Sequence, residues 1–103
     1  MSLSTEQKKH YRGLGHNLKP VVTVAGNGLS ATVKEELDRA LEDHELIKVK
    51  LAIPDRDARK KMVQTICDKV KAELIQEIGK VTLLYRSAKK QNPKLSNIKR
   101  LSL

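Results

Sequence analysis

The sequence predicts an α/β fold: one domain with a mixed four-stranded sheet and three helices, in the order α-β-α-β-α-β-β. Three observations carry that expectation. Two β-branched runs, V-V-T-V over 21–24 and I-K-V-K-L-A-I over 47–53, have the composition and period of strands. Apolar residues at helical spacing lie before, between and after them. At 103 residues the chain has single-domain length, enough to bury roughly two-thirds of its unfolded surface in one core.

The first helix opens at Ser4, which with Gln7 forms a capping-box pattern. Gln7, Tyr11, Leu14 and Leu18 follow at helical spacing, and the helix is expected from about Thr5 to Gly13, with Gly13 and Gly15 ending it. Lys8, Lys9 and Arg12 cluster away from Tyr11 as a short basic face, which is either solvated surface or a contact for a polyanion. Pro20 suits the first residue of a strand, and Asn27-Gly28 is a turn signal, so the first strand stops near Ala25.

Ser30 can cap a second helix from about Ala31 to Asp43, with Val33, Leu37, Ala40 and Leu41 inward and an acidic outer face. The backbone N–H groups from Gly28 to Ala31 are then expected to point unpaired into the glycine loop, where the helix dipole favours an anion. A bland alternative stands beside this one, a turn that uses glycine only for its backbone. A nucleotide P-loop is not supported, because the glycine spacing is wrong and no Lys-Ser or Lys-Thr pair opens the helix.

In the stretch from Glu45 to Ile53, Ile47, Val49, Leu51 and Ile53 alternate with Lys48, Lys50 and Ala52, a half-buried strand with two lysines on its other face. Asp55 caps a third helix whose stripe is Met62, Val63, Ile66, Cys67 and Val70, so Cys67 reads as an inert core thiol. Glu73 to Ile78 and Val81 to Arg86 flank Gly79-Lys80 as a hairpin with a type II′ turn, and Leu74, Ile78, Val81, Leu83 and Tyr85 supply its apolar positions. From Ser87 the chain is polar and basic and is expected to be a flexible tail, so the domain boundary falls at 1–86 and 87–103. Leu95, Ile98 and Leu101 recur every three residues and leave open a short helix formed on a partner.

The net charge is +9, and it is unevenly spread. Residues 1–20 carry four Lys or Arg against one acid, residues 21–86 twelve against eleven, and residues 87–103 five against none. A near-neutral core with basic ends is the footprint of a grip on a polyanion, though solubility also favours modest charge. Phe and Trp are absent and only Tyr11 and Tyr85 are aromatic, which argues against a platform that stacks successive bases. A nucleic acid would be held by charge, backbone amides and shape.

Other classes find little footing. A lone cysteine forms no internal disulfide and no cysteine-based zinc site, which suits a reducing compartment. No signal-peptide pattern and no apolar run of membrane-spanning length is present, so a cytoplasmic protein without a membrane partner is expected. His10, His16 and His44 have no metal-ligand spacing, and no Ser-His-Asp or paired-carboxylate arrangement emerges. We therefore expect no enzyme, cofactor, metal or small-molecule substrate.

If the first two strands are parallel neighbours joined by a right-handed crossover, their C-terminal ends share one edge of the sheet. Arg56, Arg59, Lys60 and Lys61 would then stand near Gly26 and Gly28 and cradle a phosphodiester chain.

Several segments together resemble a known family: L-S-T-E-Q-K near the start, L-K-P-V-V before the loop, N-G-L-S in it, H-E-L-I-K-V-K from His44 to Lys50, and I-G-K-V-T-L-L-Y-R from Ile78 to Arg86. They are similar, over roughly Leu3 to Arg86, to the small bacterial YhbY proteins, the stand-alone form of the CRM domain of chloroplast RNA splicing and ribosome maturation. The resemblance implies a helix-backed sheet like the C-terminal domain of the third bacterial translation initiation factor, distantly like KH domains. It also implies RNA as partner, ribosomal RNA of the large subunit or its precursor within a pre-ribosomal particle, and a role in ribosome assembly.

The family's loop carries a G-x-x-G motif for gripping RNA backbone. This chain has A-G-N-G, with Ala25 in the first glycine's place. Either Gly26 supplies the same freedom one residue later, or the loop contributes less and the basic residues more. The expected RNA-binding residues are thus Gly26, Asn27 and Gly28, with Lys8, Lys9, Arg12, Lys19, Arg56, Arg59 and Lys60 as phosphate-neutralising cations. Two alternatives are a module that reaches the ribosome through a protein, using the acidic second helix or the tail, and a binder of duplex DNA.

Overall fold

A computed structural model describes residues 3–26 and 28–101. Its elements are α1 (Thr5–Gly15), β1 (Pro20–Ala25), α2 (Ala31–His44), β2 (Leu46–Ala52), α3 (Arg56–Val70), β3 (Glu73–Ile78), β4 (Val81–Tyr85) and a short α4 (Asn97–Leu101). The four strands form one mixed sheet in the order β1-β2-β4-β3, with β1 parallel to β2 and the other neighbours antiparallel. The expected α/β class and strand count are as found, with one short helix more.

Strand alternation gives the sheet two faces. Val22, Val24, Ile47, Val49, Leu51 and Leu84 point to one side, where Leu37 and Leu41 of α2 and Val63, Ile66 and Val70 of α3 close the main core. Leu46, Ile75 and Leu83 take part in a second cluster with Tyr11 and Leu14 of α1, Leu18, Tyr85 and Ile98 of α4. The molecule is therefore three layers, with α2 and α3 on one face and α1 and α4 on the other.

Local chemistry sets the boundaries. The Ser4–Gln7 capping box and the side-chain caps of Ser30 on Val33 N–H and Asp55 on Ala58 N–H are all formed. α1 runs two residues further than expected, because Gly13 lies inside it and Gly15, buried without a side chain, lets the helix rest on Leu83. A Cβ on Gly15 would stand 2.7 Å from a Leu83 methyl. Glu45 is not the first residue of β2 but the cap of α2, at φ 62°. In β3 a register shift between Leu74 and Gln76 turns Ile75 inward, so Leu74 and Ile78 are exposed instead of supplying core positions.

The largest difference lies beyond Arg86. The expected flexible tail is laid across the domain through residue 101, because its backbone and neutral side chains supply the hydrogen-bond donors that the carboxylates of Glu45 and Glu42 take up. Glu45, 2% exposed, accepts from the Ser96 hydroxyl at 2.6 Å, the Ala88 N–H at 2.8 Å and the Gln91 amide. Glu42 accepts from the Lys89 and Lys90 N–H groups. Buried Asn97 donates to the Leu46 carbonyl at 2.7 Å, and Ile98 joins the second cluster. Burial alone would raise the Glu45 pKa, but the hydrogen bonds from Ser96, Ala88 and Gln91 outweigh it and hold the carboxyl below the ordinary carboxylate range.

Candidate nucleic-acid interface

β1 and β2 are parallel and in register to Ala25↔Ala52, so the loops that follow them leave the same edge of the sheet. The antiparallel pairing Lys50↔Val81 brings the Gly79-Lys80 turn to that edge as well, where the Leu51 N–H donates to the Lys80 carbonyl at 2.7 Å. Three loops thus meet the N-terminus of α3. The first two were legible from the parallel pairing, whereas the hairpin turn was not placed because nothing in its sequence says that β4 pairs with β2.

Within this edge, Arg56, Arg59, Lys60, Glu77 and Gly79 line one groove of about 420 Å³. Arg56 and Lys60 are exposed cations, and Gly79, at φ 57°, keeps the opposite wall free of a side chain. Arg59 is partly committed, since its Nη1 donates at 2.9 Å to both the Ile53 and Pro54 carbonyls and fastens the loop from which α3 starts. Glu77 is the one acid in the groove and opposes an anion.

Gly28 lies on the other flank of α3. A Cβ built there would approach the Met62 methyl to 3.8 Å. At 100° per residue, Met62 and Lys60 fall on opposite sides of the helix's buried stripe, so the first turns of α3 stand between the glycine loop and the cationic groove. The positive φ that the loop requires is at Gly28, 101°, and not at Gly26, whose position is open space within 4 Å. The Gly28 N–H is not unpaired as expected, for it donates to the Ala25 carbonyl at 3.1 Å and closes the turn. Asn27 lies outside the described residues.

The remaining expected residues stand elsewhere. Tyr11 packs on Tyr85 with ring centres 4.7 Å apart and planes tilted by 35°, and Gly15 meets Leu83, so α1 runs antiparallel to β4. Lys8 and Lys9 precede Tyr11 by about one turn and therefore lie far from the groove, roughly 18 Å along the strand direction from Val81. Arg12 is exposed on the same helix. Lys19 precedes β1, at the opposite edge from the glycine loop. The nine expected positions among the described residues are therefore spread over three places.

The other titratable groups argue for structure. Burial, with Asp68, Glu73 and Glu77 nearby, pushes the Cys67 thiol up to about 11, which leaves it protonated and inert at neutral pH. Burial and the hydrogen bond to Tyr85 push Tyr11 up to about 12. The Arg86 guanidinium donates to the Asp38 carboxylate and carbonyl and to the Val70 carbonyl, tying α2 and α3 together. Among the described residues no group of three or more His, Cys, Asp or Glu could hold a metal ion, and no helix is long and apolar enough to cross a membrane.

Comparison with known proteins agrees with this architecture. The model of the CRS1/YhbY (CRM) domain matches residues 3–86. A Pseudomonas aeruginosa protein named as a probable RNA-binding protein is 51% identical over 102 residues, covering 99% of this chain and 98% of its own. A Haemophilus influenzae protein named as an RNA-binding protein is 46% identical over 85 residues, covering 82% of this chain and 86% of its own. The solution structure of a Staphylococcus aureus protein, described as a candidate RNA-binding protein, superposes with a TM-score of 0.76 at 31% identity, over 86% of this chain and 93% of that one.

Proposed function

The chain belongs to the CRS1/YhbY (CRM) family, and from that premise we propose that it is a non-catalytic, cytoplasmic RNA-binding protein that associates with precursors of the large ribosomal subunit and assists their assembly. The observation that carries the RNA-binding part is the edge where three loops meet the start of α3. It offers Arg56 and Lys60 as mobile cations and Gly28 and Gly79 as places where a backbone can come close. The scarcity of rings leaves bases little to stack on, so recognition runs through phosphates and shape. The assembly role rests on the family resemblance of the quoted segments.

Crosslinking in the protein's own cells, followed by sequencing of the recovered RNA, tests both parts. Fragments of large-subunit ribosomal RNA should dominate, and they should be depleted when Arg56 and Lys60 are changed to glutamine. Recovery of unrelated RNAs would overturn the assembly role. Recovery of none, with a ribosomal complex that survives nuclease digestion, would overturn RNA binding in favour of a protein-held association.

A further inference from the structure

A second basic surface lies at the opposite edge of the sheet, and the segment beyond the family match builds part of it. Lys19, Lys48 and Arg100 line one groove with Val21, His44 and Asn97, between the start of β1, β2 and α4. No acidic residue lines it. We propose that this groove is a second site for the phosphodiester backbone of RNA, completed only when residues 87–101 dock; the proposal rests on the RNA-binding reading above.

Three features point to an anion here. Two of the cations are held in place by neutral groups. The Arg100 Nη2 donates to the Asn97 Oδ1 at 2.8 Å, and Asn97 is fixed in turn on the Leu46 carbonyl. The Lys48 Nζ donates to the His16 carbonyl at 3.2 Å. Among the described residues, none of Lys19, Lys48 and Arg100 makes an ion pair, so Lys48 and Arg100 are positioned by neutral partners and none of the three is paired with an acid there.

The second feature is the cost of assembling the groove. Residues 87–103 carry five basic residues and no acid, and docking brings Arg100 next to Lys19 and Lys48 against their repulsion. Glu45 and Glu42, which could have neutralised the cations, instead hold backbone and neutral side chains of the strap. The third is the lining itself. His44, whose Nδ1 donates to the Leu95 carbonyl at 2.9 Å, is the one ring in the groove, and three cations beside a single imidazole favour phosphates over a run of stacked bases.

The test measures affinity of the full-length protein for a mixed-sequence single-stranded RNA of about 20 nucleotides across a series of salt concentrations. Each phosphate contact on a single strand contributes roughly 0.7 to the log–log slope. The double variant Lys19→Gln, Arg100→Gln should lower the slope by about 1.4, and by the same amount when Arg56 and Lys60 are already glutamine. A second variant, Glu45→Ala, makes the protein more positive, so long-range attraction alone would tighten binding; loss of the strap predicts weaker binding, with the far-ultraviolet circular dichroism spectrum losing no more than the contribution of the short α4. If the parent binds RNA and the Arg56/Lys60 variant weakens it while Lys19→Gln, Arg100→Gln leaves the slope unchanged, the second site is wrong and the first stands. Tighter binding by Glu45→Ala would overturn the role of the strap. A parent that does not bind the RNA at low salt would overturn the RNA-binding reading itself.

Discussion

Neighbouring cations in α3 have different duties, and substitution should separate them. Arg59 is one residue from Lys60, but its guanidinium holds the Ile53 and Pro54 carbonyls while Lys60 stands exposed. Arg59→Ala should cost about 2 kcal/mol in denaturant unfolding through the lost charged hydrogen bonds, whereas Lys60→Ala should stay within about 0.5 kcal/mol of the parent and weaken RNA binding. Equal unfolding midpoints for the two variants would refute the assignment. The glycines divide in the same way. Gly28→Ala, forced to φ 101°, should cost about 1–2 kcal/mol, while Gly26→Ala, with open space and no positive φ, should be close to neutral in the same measurement. The family's glycine pattern alone could not say which of the two the backbone needs, because φ is set by the turn that Gly28 closes onto Ala25.

At the scale of elements, the strap from Ala88 to α4 depends on one buried carboxylate. Burial would raise the Glu45 pKa, but hydrogen bonds from Ser96, Ala88 and Gln91 lower it on balance, so the folded protein favours the ionised form. A depressed carboxyl contributes stability that is fully present above its unfolded value and is lost as pH falls through the folded one. The strap should therefore be docked at neutral pH and release on acidification below the ordinary carboxylate range. Methyl resonances of Ile98, packed in the second cluster, should move to their unfolded positions before those of Ile47 in the main core. Coincident movement of the two at every pH would show that the strap is not a separate unit. This element was the least legible in the sequence. Polar, basic composition speaks for disorder, and the partners that order it, Glu42, Glu45 and Leu46, lie more than forty residues away. Helices α1 to α3 and the first two strands were legible because caps and periodicity are local signals, and the bulge at Ile75 was not, because it depends on the pairing of β3 with β4.

For the molecule as a whole, the same sheet that unites three loops at one edge keeps the other cations apart from them. The parallel pairing of β1 with β2 and the crossing of α3 over β4 decide that Arg56 and Lys60 meet the glycine loop's edge, while α1 places Lys8 and Lys9 towards the far end of β4. Length of RNA should therefore reveal the layout. An oligonucleotide of about four residues, the length that a glycine-loop clamp grips, can cover the α3 edge but not also the first half of α1, which lies roughly 18 Å away along the strands and on the opposite face of the sheet. Arg56→Gln with Lys60→Gln should weaken binding of both this short RNA and a 20-nucleotide one, whereas Lys8→Gln with Lys9→Gln should weaken only the longer, lowering its salt slope by about 1.4. Calorimetric titration at two salt concentrations supplies both numbers. If the Lys8/Lys9 variant weakens the short RNA as much as the long one, the short strand sits on α1 and the loop edge is not the primary contact. If it weakens neither, the basic face of α1 is solvated surface, and the charge at the amino-terminal end of the chain serves solubility rather than grip.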